Sequence, residues 1–189
     1  MSITTRIIRK TTSRSLTTGE ITMAKLVFKN SIDYGKVKII RGGLLGMPNL
    51  SNNAMTPFGD IHFSDNTYDK IKDFSQREND YKILFIHEMA HVWQRTMGIS
   101  VAGCGLTIGI TGGYFLWDAY DYGLSAQDKN KKFSQFNIEQ QASMIAEYYA
   151  IRYLKINPKN RTDAQKNVLL NILKPFIANP AHRGIITSY

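Results

Sequence analysis

The pentapeptide His87-Glu88-Met89-Ala90-His91 lies within a stretch whose apolar residues recur at helical spacing, and this combination constrains the chain more than any other feature. At about 100° per residue, Tyr81, Phe85, Ile86, Met89, Ala90, Val92, Trp93 and Met97 cover most of a helix circumference. The spacing therefore predicts a helix that is largely buried. A polar stripe remains at Asp80, His87, Glu88, His91 and Arg95. Imidazole and carboxylate placed in such a helix cost free energy unless a ligand or a water-filled cleft satisfies them. Histidines four apart project from one face, one turn above the other, so both can bind a single zinc ion. Glu88 lies beside them, placed to act on a water.

Catalytic zinc usually takes three protein ligands and keeps a fourth position open. Two carboxylates compete for the third place. Glu139 stands 48 positions after His91, in the first turn of the next expected long helix. Glu147 follows eight residues later, about 80° around the same helix, as an alternative ligand or as a carboxylate orienting a histidine N–H. Glu139 is preferred because a helix start can face a cleft.

The rest of the chain supplies a frame for these residues. Residues 1–22 hold ten Ser or Thr and four basic residues with no clear apolar face, which reads as a flexible basic leader before a single domain over 23–189. Two β-prone runs at 25–29 and 36–41 flank a turn, and residues 59–63 alternate polar with apolar after Pro57, as an edge strand would. Gly42, Gly43, Gly46 and Pro48 end the second run. Ser75-Gln76-Arg77-Glu78 has capping-box spacing and predicts the start of the histidine helix, with Gly98 as its stop. A second long helix is expected from Asn137 or Ile138 to Ile156, and a third from Thr162 to Lys174 before Pro175. Strands followed by helices predict an α+β fold, with helices on one side of a small mixed or antiparallel sheet.

The block at 84–94, around the two histidines, resembles the zincin metallopeptidases, which carry this motif with a downstream glutamate. More closely, the chain resembles metallopeptidase-like proteins associated with bacterial Rhs, Vgr and contractile injection systems. That resemblance also uses residues 53–63, Tyr120-Asp121-Tyr122-Gly123 and residues 136–142, about two thirds of the chain. It implies a zincin-like fold with a ligand-bearing second helix, and aligns Glu139 as third ligand beside His87 and His91. It further implies that Gly59, Asp60, Ile61, His62 and Phe63 form a substrate-binding edge strand beside the cleft. Where such proteins often carry Asp four residues after the third ligand, this chain has Ser143, so the usual supporting carboxylate is absent.

The chemistry expected of this set is amide hydrolysis. Zinc would activate a water and polarise a carbonyl, with Glu88 accepting the proton and returning it to the leaving amine. Tyr120, Tyr122, His182 and Arg183 are the candidates for stabilising the oxyanion. The expected partner is a protein or peptide substrate. The resemblance adds a secretion apparatus or an immunity protein, and the role of a bacterial effector or toxin of type VI secretion, cytoplasmic before delivery. The competing reading is a non-catalytic metal-binding module of such a system.

Charge and cysteine usage narrow the remaining classes. The formal charge of +9 would suit an anionic partner, but no nucleic-acid-binding motif accompanies it. Cys104 is the sole cysteine, so no disulfide forms within the chain. Residues 1–22 lack the apolar core of a classical signal peptide. Residues 96–117 carry no charge, but six glycines interrupt them, which argues for a buried loop or hairpin over a membrane span.

Overall fold

The first helix begins before the expected domain start, for a reason written in four residues. The computed structural model describes residues 12–43, 54–101 and 120–186. Within them, β1 (Ser13–Ser15) leads into α1 (Thr18–Phe28) through a Thr17–Glu20 capping box. This corrects two expectations. Residues 12–22 are packed structure, not leader, because Glu20 is fully buried and its carboxylate is gripped by both guanidinium nitrogens of Arg14 at 2.8 and 2.7 Å. Residues 25–28 are helix, because Met23, Ala24, Val27 and Phe28 share one buried face. Residues 1–11 lie outside the described residues.

β2 (Lys38–Arg41) pairs antiparallel with β1, Arg14 opposite Ile39, and parallel with β3 (Ile61–Phe63), Ile40 opposite His62. The sheet is thus mixed, in the order β1-β2-β3. Ile39 and Ile61 are fully buried under the helices, and the Asp60 carboxylate accepts from the Lys38 N–H at 2.9 Å, tying the two parallel strands at their start. α2 (Asp65–Lys70) follows directly, capped by Ser64.

The histidine helix α3 spans Asn79–Thr96, starting three residues later than a cap at Ser75 predicts. Ser75 Oγ donates to Asp73 Oδ1 at 2.6 Å within a 3-10 turn at Phe74–Gln76, so it does not cap a helix beginning there. The helix stops where expected, with Gly98 at φ 98°. Its burial is as expected for Phe85, Ile86, Met89, Ala90, Val92 and Trp93, whereas Tyr81 is exposed.

α4 (Ile138–Tyr149) starts at an Asn137–Gln140 capping box and continues as a π turn at Ala150–Leu154. It packs antiparallel along α3: the Gln94 amide donates to the Ile138 carbonyl at 2.9 Å, while Ser143 stands opposite His87. α5 (Asp163–Ala178) begins at the expected Thr162–Gln165 box and runs one turn past its expected end. Pro175 forgoes one backbone bond there, but the fully buried Phe176 packs against Trp93 at 4.9 Å and Phe28 at 6.0 Å, which holds the last turn in place. At the other end of the core, Phe63, Phe74 and Phe85 stack at 4.5 and 5.5 Å. No described helix is long and apolar enough to cross a membrane, and the glycine-rich run at 102–117, with Cys104, lies outside the described residues.

Candidate metal centre

Antiparallel packing of α3 on α4 brings three side chains to one point. His87 Nε2 and His91 Nε2 are 3.2 Å apart, and Glu139 Oε2 is 3.2 Å from each. Ligands held about 2.0–2.1 Å from a tetrahedral ion stand roughly 3.4 Å from one another, so this triangle needs little adjustment to close on one. His87, His91 and Glu139 are the described group with donor atoms close enough to hold a metal ion.

The surrounding hydrogen bonds decide what these atoms offer. Gln94, fully buried, donates through Nε2 to the Ile138 carbonyl at 2.9 Å and to Gln141 Oε1 at 3.1 Å. Its Oε1 is then the atom 2.8 Å from His91 Nδ1, and an amide oxygen can only accept. His91 therefore carries its proton on Nδ1 when neutral and presents a lone pair at Nε2. Gln141 is oriented in turn by donating to the Phe136 carbonyl at 2.8 Å. The Glu139 carboxylate oxygen and the His91 Nε2 lone pair of the neutral ring thus face one another, as they would around a shared cation or proton. Burial works against a charged His91, yet the adjacent Glu139 carboxylate outweighs it and raises the imidazole pKa to about 9. Burial likewise opposes the charge on Glu139, and the two imidazoles hold it well below the ordinary carboxylate range.

Glu88 is buried beside this group and accepts from Thr56 Oγ1 at 2.7 Å. Thr56 is held there by the bridge between Met55 and His62 at the margin of the sheet. His87, Glu88 and Tyr120 line a cavity of about 470 Å³, within the usual range for ligand pockets. The Tyr120 ring lies 6.1 Å from the His87 ring.

Other residues singled out in the sequence lie elsewhere. Glu147 lines the cavity but is not a ligand: it accepts from the Tyr122 hydroxyl at 2.5 Å and pairs with Arg161 Nε at 3.0 Å. Tyr122 is buried, and burial and the Glu147 charge push its pKa up, so its proton stays on the hydroxyl and serves Glu147 instead of an oxyanion. His182 and Arg183 are exposed beyond α5, where the Pro180 carbonyl receives Trp93 Nε1 on the side of α3 away from the histidines. Residues 61–63 form the expected strand, but its outer edge is taken at His62, whose N–H and carbonyl both pair with Met55 at 2.8 and 3.0 Å. A strand whose outward groups are already used cannot receive a substrate there. His62 is buried, and among the described residues its Nδ1 has no hydrogen-bond partner and it is not part of the cavity lining.

Sequence reasoning missed Gln94 and Thr56. Gln94 was readable, because seven residues after His87 it falls on the same helix stripe. Thr56 carried no such signal, since the bridge that positions it is long-range. Ser143, in place of the usual aspartate, stands with Oγ 3.5 Å from His87 Nδ1.

No family model matches the sequence. The type VI secretion system spike protein VgrG2b of Pseudomonas aeruginosa strain PAO1 is 34% identical over 139 residues, 72% of this chain and 13% of that protein. The solved effector domain of Pseudomonas aeruginosa VgrG2b matches with a TM-score of 0.67 and 29% identity, covering 85% of this chain and 82% of that one. The chain is homologous to the effector domain of VgrG2b. The resemblance to Vgr-associated proteins seen in the sequence thus holds for VgrG2b in backbone as well as in residues. The chain spans about one eighth of the length of VgrG2b.

Proposed function

We propose that this chain is a zinc-dependent peptidase acting as a bacterial effector of a type VI secretion apparatus. The observation that carries the proposal is the convergence of His87, His91 and Glu139 on one point, with Glu88 buried alongside. Two imidazoles and one carboxylate suit zinc better than the oxygen-seeking calcium or magnesium. When bound, zinc supplies a Lewis acid that polarises a carbonyl and makes a water acidic. The chain's own residues do the rest. Gln94 keeps the lone pair of His91 Nε2 turned toward the site, and Thr56 fixes Glu88 by one carboxylate oxygen. Glu88 accepts a proton from the attacking water and returns it to the leaving amine. Tyr120, on the His87 side of the cavity, is the donor best placed to meet charge developing on the carbonyl oxygen.

The cavity beside His87 and Glu88 supports a working site over a closed structural one, whose fourth position a side chain would fill. Likeness to the effector domain of the spike protein VgrG2b supports the effector role and association with a secretion spike; delivery without a classical signal peptide and pairing with an immunity protein belong to the same proposal. The test is Glu88→Gln, assayed for zinc by elemental analysis and for cleavage of fluorescein-labelled casein. One zinc per chain is expected in both forms, with cleavage falling by at least about a hundredfold in the variant. An unchanged rate removes Glu88 as the base, and purified protein that takes up no zinc on reconstitution removes the whole reading.

A further inference from the structure

The cavity along the α3–α4 seam differs in chemistry between its two ends. His87 and Glu88 line one end, and Asp80, seven residues earlier on the same helix, lines the other. At about 1.5 Å per residue the ends are roughly 10 Å apart. Ala54, Ile83, Leu84 and Ala146 contribute apolar wall between them. Lys159 also lines the cavity, and its place is at the Asp80 end. Its ammonium sits 4.3 Å from the centre of the Tyr122 ring, and the Tyr122 hydroxyl bonds Glu147, two turns along α4 from Glu139.

Lys159 stands on a latched loop. Asn157 and Arg161 exchange hydrogen bonds at 2.9 and 2.8 Å, and Arg161 is anchored on Glu147 at 3.0 Å and on the Tyr122 carbonyl at 3.1 Å. Among the described residues the Asp80 side chain makes no hydrogen bond or ion pair, and the Lys159 ammonium meets only the Tyr122 ring. Asp80 and Lys159 thus border one end of an apolar slot without pairing to each other, while Glu147 in the same lining is already taken by Arg161 and the Tyr122 hydroxyl.

We propose that this end receives a zwitterionic head group, an ammonium and a carboxylate on one carbon, carried on a short aliphatic stem. This rests on the reading that the scissile amide lies at the His87–Glu88 end. A stem ending in an ammonium alone would meet Lys159 with like charge, and one ending in a carboxylate alone would meet Asp80 with like charge. The zwitterion satisfies both and leaves its methylenes against the alanine, isoleucine and leucine walls. Such a head group belongs either to the side chain of a diamino-dicarboxylic residue within a longer substrate or to a free amino acid.

The test is calorimetric binding to E88Q protein of four blocked tripeptides that differ in the central residue: 2,6-diaminopimelate, lysine, 2-aminopimelate and norleucine. The first is expected to bind at least about tenfold more tightly than each of the others. D80N should erase its advantage over 2-aminopimelate, and K159M its advantage over lysine. Free norleucine binding as tightly as the diaminopimelate peptide assigns the pocket to a free amino acid; weaker binding assigns it to a residue within a chain. Either result upholds the head-group chemistry. A norleucine peptide that binds as well as the diaminopimelate one, or a ranking unmoved by both substitutions, overturns it. Binding to E88Q needs no hydrolysis, so cleavage of casein by the unsubstituted protein reports on the peptidase reading separately.

Discussion

Glu20 on α1 and Glu139 on α4 are both buried carboxylates, at 0% and 8% exposure, yet their surroundings are of opposite kinds. Glu20 accepts from two guanidinium nitrogens of Arg14, from the Thr17 N–H at 2.8 Å and from the Phe74 N–H at 3.0 Å. Its charge is countered and its lone pairs are used within the chain. It welds β1, α1 and the turn before α3 into one unit. Glu139 faces two imidazole nitrogens, one of which Gln94 fixes as an acceptor in the neutral ring. The contrast shows that burial of a carboxylate does not by itself mark a working site. The facing atoms differ: Glu20 meets guanidinium and backbone donors, whereas Glu139 meets two imidazole nitrogens close enough to share a metal ion with it.

Exchanging charge for neutrality at each carboxylate separates the two regions most sharply. Glu20→Gln strands Arg14 and should cost about 3–5 kcal/mol in urea unfolding, while zinc stoichiometry stays at that of the unsubstituted protein. Zinc loss in that variant would mean that the two regions are coupled. Glu139→Gln should behave inversely, folding without metal but losing the stabilisation that zinc confers, about 2.7 kcal/mol when zinc is in hundredfold excess over its Kd. The melting temperature with and without chelator checks it, and an undiminished zinc-dependent rise would remove Glu139 from the ligand set. Gln94→Leu leaves all three ligands but frees the His91 ring, so zinc affinity should fall about 10- to 100-fold in competition with a chromogenic chelator.

The smallest effect concerns pH in the metal-free protein. The pKa of His91, raised to about 9, lies above its unfolded value of about 6.5, so the pair's contribution is complete below that value and is lost as pH rises through 9. Glu139, held low, contributes above the unfolded carboxylate range near 4.3, and that share is lost only as pH falls further. Stability in the presence of chelator should therefore decline between about pH 6.5 and 9, and Glu139→Gln should flatten that decline.

The same contrast explains what the sequence made legible. α3 and α4 declare themselves by helical periodicity, and the motif at 87–91 names its own partners, so the seam and its histidines could be read before any coordinates. The α1 region was misread because Ser and Thr around 11–18 look like a mobile tail and Leu26-Val27-Phe28 looks like strand. The Thr17-x-x-Glu20 box was present, but its weight depends on Arg14 and Phe74, contacts that no local window contains. The choice between Glu139 and Glu147 was likewise open along the chain. Arg161, fourteen residues beyond Glu147, pairs with that carboxylate, a long-range contact that leaves Glu139 as the carboxylate grouped with the histidines. Ser75 misled for the same reason, because its hydroxyl had a nearer acceptor in Asp73.

The Asn157–Arg161 latch has a consequence for how the molecule would be dismantled. Trypsin cuts after basic residues in segments that can be pulled out into an extended shape, and this loop offers it Lys155, Lys159 and Arg161. The Arg161 side chain is only 9% exposed, its guanidinium sealed against Glu147. Nicking should therefore begin at the two lysines and spare the Arg161–Thr162 bond until the whole buckle opens, so the order of fragments in a timed digest records how firmly that wall of the cavity is fastened.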